Sequence, residues 1–268
     1  MLYIVSTPIG NLKDITLRAI EVLNLCDLVL CEDTRKSKFL LDKFDIKTSL
    51  QSYHKFNEKS KLQKIVALLK SNKNITLVSD AGTPLISDPG LDLYQECLKE
   101  GIEVTHIPGA SSIINALVLS GFDTKTFQFL GFLPKKQNEL LFIIKKMLFY
   151  DGTSIFFESP NRIEDTIKVI SKIDPLRNVC ILKEMTKKFE KRIVFPAEKM
   201  VGFLKDNPIK GEIVCLLEKG EIPQDLSDEE LVLLLKENFS LSLKESIQMA
   251  KKLKKVSRKD LYKKFFNN

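Results

Sequence analysis

Two α/β domains followed by a small helical tail are what the sequence predicts. Three observations carry this. From Leu2 to Ile107, short apolar runs alternate with helix-patterned segments, as the units of a parallel, doubly wound sheet do. Around Gly121 to Lys125 that rhythm changes, and a second set of strands and helices begins. Beyond Gly220 and Pro223 the chain turns lysine-rich, with Ser-x-x-Glu helix starts. Domains are therefore expected over 1–120 and 121–220, with a helical, basic tail over 226–268.

The first domain opens on a strand, Leu2–Val5, and a loop from Ser6 to Leu12. Asp14 is expected to cap a helix reaching about Leu25, with Ile15, Ala19, Val22 and Leu23 on one face. Leu28–Cys31 is apolar throughout, as a strand covered on both faces should be. A helix follows to about Phe44, then a short strand within Thr48–Tyr53 and a helix over Asn57–Ser71. The strand Ile75–Val78 precedes a helix from Leu91 to Glu100, closed by Gly101. Glu103–Ile107 is a strand, and Ser111 or Ser112 caps the helix that ends at Ser120.

In the second domain, strands are expected at Phe127–Leu133, Ser154–Phe157, Val179–Leu182, Arg192–Phe195 and Gly211–Glu218. Helices fall over Gln137–Tyr150, Arg162–Ile173 and Ala197–Lys205, and part of the sheet is expected to be antiparallel. In the tail, Ser227-x-x-Glu230 and Ser242-x-x-Glu245 fit capping boxes, and Ser257-x-x-Asp260 is a weaker third.

Composition excludes several classes. No apolar run approaches the roughly 18 residues of a membrane span. The first residues already read as a strand, so no signal peptide is expected and the protein is placed in the cytoplasm. Five scattered cysteines, with no C-x-x-C, point to reduced buried thiols and to no zinc site. Only two histidines are present, which disfavours a histidine metal cluster; no metal is expected. His106, inside a strand, is read as a packed core residue, and His54 as a structural or RNA contact. The formal charge is +7, and residues 236–268 carry all of it, ten Lys/Arg against three Asp/Glu. Such a tail suits a polyanionic partner, RNA first, or equally a solvated helix face.

The stretch Ser79–Gly90 packs hydroxyls, carboxylates, glycines and prolines at the end of an apolar strand. Loops there bind ligands in open α/β sheets, and one this long is more often functional than a plain connection. The strand-end loops contain no G-x-G-x-x-G and no Walker A sequence, which disfavours dinucleotides and nucleoside triphosphates. They offer hydroxyls (Ser79, Thr83, Ser111, Ser112, Thr186), the carboxylate of Asp80, and Phe132, Leu133 and Met185 as apolar surfaces. A ligand with a flat base, a ribose and an amino-acid end fits that set, S-adenosylmethionine among them.

The motifs Tyr3-Ile4-Val5-Ser6-Thr7-Pro8-Ile9-Gly10-Asn11-Leu12, Cys31-Glu32-Asp33-Thr34-Arg35, Ser52-Tyr53-His54, Val78–Gly90, Ile107–Ser112, Gly131–Pro134, Phe157–Arg162, Glu184–Lys187 and Lys210–Val214 stand in one order. With them the chain resembles the ribosomal RNA small subunit methyltransferase I family, within the tetrapyrrole methylase superfamily. The resemblance implies two α/β domains of tetrapyrrole methylase type, S-adenosylmethionine as cofactor and a homodimer. It also implies 2′-O-methylation of a cytidine ribose in the decoding region of 16S rRNA in the small ribosomal subunit. Three stretches depart from the family pattern: Pro-Gly-Ala-Ser at 108–111, Ser-Pro-Asn-Arg at 159–162 and Lys-Glu-Met-Thr-Lys at 183–187. Asn161 replaces a histidine common in the family, so no histidine base acts there.

On this footing, cofactor contacts are expected from Asp80, Ala81, Gly82, Thr83, Ser111, Ser112, Phe132, Met185 and Thr186. Chemistry is expected from Asn11, Glu32, Asp33 and Glu158, and RNA contacts from Arg35, Arg162 and Lys187. The competing reading pairs Glu32 and Asp33 with Arg35 and Arg162 in salt bridges. Two rival functions remain: a tetrapyrrole methylase proper, and a non-catalytic RNA-binding assembly protein.

Overall fold

The computed structural model describes residues 1–220, 227–239, 242–254 and 265. The chain divides into two compact units. Unit 1 holds Met1–Ala116 together with Lys183–Lys191, and unit 2 holds Leu117–Leu182 with Arg192–Asn268.

Unit 1 is built on a five-stranded parallel sheet. Its strands are β1 (Leu2–Val5), β2 (Leu28–Cys31), β3 (Leu50–Ser52), β4 (Ile75–Val78) and β5 (Val104–Ile107), in the order β3-β2-β4-β1-β5. β1 lies in register between its neighbours, Val5 opposite Val78 on β4 and Ile107 on β5. Side chains of successive strand residues leave opposite faces, and here both faces are dry. Leu2, Leu30, Ile75 and Leu77 pack with Tyr53, Ile65 and Leu93 in one cluster. Val5, Val29, Cys31 and Val78 pack with Ala19, Leu23 and Leu41 in another. Parallel pairing with crossover helices puts the carboxyl ends of all five strands on one rim.

Of the helices, α1 (Leu17–Leu25) begins later than the sequence suggests. Thr16, not Asp14, is its cap and accepts from the Ala19 amide at 3.1 Å. Asp14 instead ends a 3-10 turn, Leu12–Asp14, whose cap is Asn11. The next helices are α2 (Thr34–Lys43), α3 (Glu58–Lys70), α4 (Leu91–Lys99) and α5 (Ser112–Ser120).

Unit 2 has a mixed sheet of β6 (Phe127–Phe132), β7 (Thr153–Phe157), β8 (Asn178–Lys183), β9 (Lys191–Pro196) and β10 (Ile213–Leu217), in the order β6-β7-β10-β8-β9. β6 runs parallel to β7, and β10 antiparallel to it, so the expected antiparallel component is present. The helices α6 (Gln137–Leu148), α7 (Ile163–Ile173) and α8 (Ala197–Asp206) supply the core with Ile144, Met147, Ile167, Ile170 and Met200.

The tail helices α9 (Asp228–Phe239) and α10 (Leu243–Lys254) start where their capping boxes place them. Ser227 and Glu230 exchange reciprocal bonds, and so do Ser242 and Glu245. Leu231, Val232, Leu235, Ile247 and Ala250 are buried between them, with Phe149 of unit 2 against the pair. The third helix start, at Ser257, lies outside the described residues, as does most of the linker. All five cysteines are buried and free. Among the described residues, no helix is long and apolar enough to cross a membrane.

Candidate active site

The strand-end rim of unit 1 carries a cleft of about 590 Å³. Its walls come from three loops or helix starts. Thr7, Pro8 and Leu12 follow β1; Asp33, Arg35, Lys36, Ser37 and Phe39 belong to the start of α2; Ser79 and Asp80 follow β4. Three of the expected site residues, Asp33, Arg35 and Asp80, thus share one cavity.

Asp80 has two bonds that the sequence did not reveal. Its Oδ1 accepts from the Asp33 amide at 3.0 Å, and its Oδ2 from Lys36 Nζ at 2.8 Å. It therefore ties the loop after β4 to the positive start of α2. Asp33 caps α2 through the Arg35 amide at 2.9 Å and holds the Arg35 guanidinium with two bonds, at 3.0 and 2.7 Å. Bonds to Arg35 hold its carboxyl down at about 2. The salt-bridge reading is right for Asp33 and Arg35.

The loop after β4 is rigidly built. Thr7 N donates to Gly82 O at 2.8 Å, and Gly82 N donates to Thr7 O at 3.1 Å. The Gly82 amide, an expected cofactor donor, is therefore already engaged. Ser79, buried, turns its hydroxyl toward Gly82 O at 3.2 Å. Further along, Leu85 and Ser87 have φ of +72° and +69°, and Gly90 has +114°. Positive φ in leucine and serine stores strain that the surroundings must hold. At Gly90 a Cβ would stand 2.4 Å from Leu77 Cδ2, so only glycine fits. Within this turn Asp88 is pushed up to about 6 by burial and by the nearby charge of Glu32. Asp88 is not among the residues expected to act in the site. Glu32, one of the expected chemical groups, is thus beside a second carboxylate.

The loop after β5 places Ser111 at the start of α5, where its hydroxyl accepts from Ile114 N at 3.4 Å. Ser112 is the first helical residue. Ala81 is exposed, and Thr83 is half-buried with its hydroxyl donating to Ala110 O at 3.3 Å. His106 is exposed on the edge strand β5, not packed in the core as its strand position suggested; Ser6 Oγ lies 3.1 Å from its Nε2. His54 receives a cap from Asn57 and meets Phe56 edge-on, a local structural role.

The segment Lys183–Lys191 brings Met185, Thr186 and Lys187 into unit 1. It is sharply turned: Glu184 and Thr186 have φ of +50° and +66°, and Thr186 N donates to Glu190 Oε2 at 2.6 Å. It lies so close to Gly10 that a Cβ there would sit 2.6 Å from Lys187 Cγ and 2.7 Å from Thr186 Oγ1. Thr186 Oγ1 is buried without a hydrogen-bond partner. A buried hydroxyl left unpaired is costly, and a ligand atom would relieve it. Lys187 is ion-paired with Glu184 at 3.1 Å.

The remaining expected residues lie in unit 2. Phe132 is 64% exposed and rests 5.3 Å, ring to ring, from Phe157. Glu158 and Arg162 correct the expectation drawn for them. The Glu158 side chain is fully buried; it accepts from Ser159 N at 2.8 Å and Thr166 Oγ1 at 2.9 Å, and pairs with Arg162 at 3.3 Å. Arg162 donates to the carbonyls of Leu133 and Pro134 at 3.2 and 2.6 Å. Together they clamp the end of β6 to the start of α7. A carboxylate with no surface cannot reach a substrate, and this guanidinium is engaged by protein oxygens.

Comparison with known proteins agrees with this architecture. The profile of the tetrapyrrole (corrin/porphyrin) methylases matches residues 1–201, and the chain belongs to that family and is a methyltransferase. Within it, the chain is 46% identical over 222 residues to the ribosomal RNA small subunit methyltransferase I of Hydrogenobaculum sp. (strain Y04AAS1), covering 81% of this chain and 95% of the relative. The enzyme of the same name from Streptococcus pyogenes serotype M1 is 36% identical over 269 residues, covering 98% and 94%. Among solved structures, a diphthine synthase superposes with a TM-score of 0.64 at 15% identity, over 81% of this chain and 89% of that one. A uroporphyrin-III C-methyltransferase from Thermus thermophilus, complexed with S-adenosyl homocysteine, gives 0.59 at 14%, over 81% and 96%. At such identities these structures speak for the fold alone.

Proposed function

We propose that the chain is an S-adenosylmethionine-dependent methyltransferase of the small ribosomal subunit, modifying the 2′-hydroxyl of a cytidine in the decoding region of 16S rRNA. The observation that carries this reading is similarity to rRNA methyltransferases along 98% of the chain, tail included. The proposal places the protein in the cytoplasm as a homodimer, a state that sedimentation velocity would test.

The residues present fit the cofactor. Thr186 Oγ1 is an unpaired buried acceptor and donor at a notch that only Gly10 leaves open. Asp80, Ala81, Thr83, Ser111, Ser112 and Met185 line the same strand-end region in the proposal, and exposed Phe132 offers a ring to stack on. When bound, S-adenosylmethionine supplies an activated methyl group. The chain's own task is to hold the ribose oxygen in line with it, with reacting atoms about 3–3.5 Å apart. Arg35 and Lys36, at the cleft wall, attract phosphate. Asp33, held down by Arg35, keeps α2 in place and is a weak proton acceptor. Asp88, pushed up to about 6 by burial and by the nearby Glu32 charge, is the carboxylate to which we assign the ribose proton.

The test is methyl transfer from labelled S-adenosylmethionine to small subunits taken from cells lacking the protein, followed by mapping of ribose methylation. One 2′-O-methylcytidine in the decoding region is the expected product. Label on a porphyrinoid but not on rRNA supports the tetrapyrrole reading instead, and failure to bind S-adenosylmethionine supports the assembly-protein reading.

A further inference from the structure

The loop expected to grip the cofactor is tied to a histidine on the outer edge of the sheet. Ser6 Oγ lies 2.9 Å from Thr83 Oγ1 and 3.1 Å from His106 Nε2. Thr83 Oγ1 in turn donates to Ala110 O at 3.3 Å. One arrangement of protons satisfies all three contacts at once. A hydroxyl has one proton, and that of Thr83 goes to Ala110, so Thr83 must accept from Ser6. Ser6 then has no proton left for His106, so His106 Nε2 must be the donor. The chain runs His106 to Ser6 to Thr83 to Ala110, linking β5, the end of β1 and the loops after β4 and β5.

We propose that His106 is a positioning residue for methyl-donor binding: through Ser6 it fixes the Thr83 hydroxyl as an acceptor-only group facing the ligand. The inference rests on the cofactor site proposed above. Its logic is polarity. With its proton committed to Ala110, Thr83 Oγ1 presents only a lone pair, which suits an ammonium or a ribose hydroxyl of the ligand and repels a carboxylate. Ser6 is 2% exposed with the imidazole in place, so in the intact protein His106 and not bulk water is its donor. His106 itself is exposed on the sheet edge, so replacing it leaves the core intact.

The experiment compares His106→Ala and His106→Gln. The glutamine amide can donate from nearly the position of Nε2; alanine cannot. Calorimetry with S-adenosylmethionine should show affinity lowered roughly 3- to 10-fold in His106→Ala, the range one net hydrogen bond supports. Affinity should return to within about 2-fold in His106→Gln. In turnover, KM for the donor should rise with kcat at saturation unchanged. Ser6→Ala should give a similar loss, and the double variant Ser6→Ala/His106→Ala no more than the larger single one. Hydrogen exchange of the Asp80–Pro84 loop in cofactor-free protein should quicken in His106→Ala and not in His106→Gln. Unchanged affinity and exchange in His106→Ala, equal losses in both His106 variants, or additive losses in the double variant would each overturn the inference. If the unaltered protein does not bind S-adenosylmethionine, the cofactor reading falls, while the exchange data still report on the relay.

Discussion

Two motifs look alike on paper: Glu32-Asp33-Thr34-Arg35 after β2, and Glu158-Ser159-Pro160-Asn161-Arg162 after β7. Each sets a carboxylate at a strand's end and an arginine at the next helix start. The protein uses them differently. Asp33–Arg35 stands at a cleft, with the arginine side chain 89% exposed. Glu158–Arg162 is a clamp whose carboxylate has no exposed surface. What separates them is which oxygens surround the arginine. Arg162 meets two main-chain carbonyls, whereas Arg35, among the described residues, bonds to the Asp33 carboxylate and is otherwise open to solvent. Burial of one partner, not the order of residues, decides whether an acid–arginine pair holds the fold or meets a substrate.

The largest expected effect sharpens this contrast. Glu158→Ala removes the buried acceptor of Ser159 N, Thr166 Oγ1 and the part-exposed Arg162, and should cost about 2–3 kcal/mol in chemical denaturation. A loss below about 1 kcal/mol, the size of a surface pair, would show that the clamp is solvated after all. Next comes Asp88, raised from 3.8 to about 6. The folded state binds its proton more tightly than the unfolded state does. Its favourable contribution is therefore full below pH 3.8 and is lost as pH rises through about 6. Asp88→Asn should thus raise unfolding free energy at pH 7–8 by on the order of 1–2 kcal/mol, after discounting for water's screening of the carboxyl. At pH 3.5 it should change little; an equal gain at both pH values would rule out titration as the cause.

Thr186→Val keeps the shape and removes the unpaired hydroxyl. Thermal stability should hold or rise, while affinity for S-adenosylmethionine falls roughly 2- to 10-fold. A drop in stability instead would mean the hydroxyl serves the fold. The smallest effect on the fold is expected from Arg35→Ala: an unchanged unfolding midpoint, weaker RNA binding, and a salt dependence shallower by about one phosphate contact. Unaltered RNA affinity would take Arg35 out of the RNA surface.

Much of this was legible beforehand. Parallel strands buried on both faces betray themselves as unbroken apolar runs, so β1, β2 and β4 were readable. Capping boxes are local chemistry, and both described ones hold. Legibility failed where a role depends on distant partners. Asp14 looked like a cap because it precedes an apolar periodicity, but the Leu12–Asp14 turn takes it and leaves Thr16 to start the helix. His106 looked buried because strands usually are; β5 lies at the sheet's edge, a fact of strand order. Glu158 looked chemical because it follows a strand, and nothing nearby in sequence announces Thr166 or the carbonyl of Pro134. Asp88 gave the weakest signal: its shift arises first from burial in the folded loop and then from Glu32, far away along the chain.

The notch at Gly10 has a consequence for biosynthesis. Its filler, Met185 to Lys187, leaves the ribosome long after the strands it completes. At about 5–20 residues per second the wait is on the order of ten seconds or more. During that time the nascent amino-terminal half carries an unfilled groove, open to chaperones. A pulse–chase with limited proteolysis should find that half sensitive until chains extend well past Lys191.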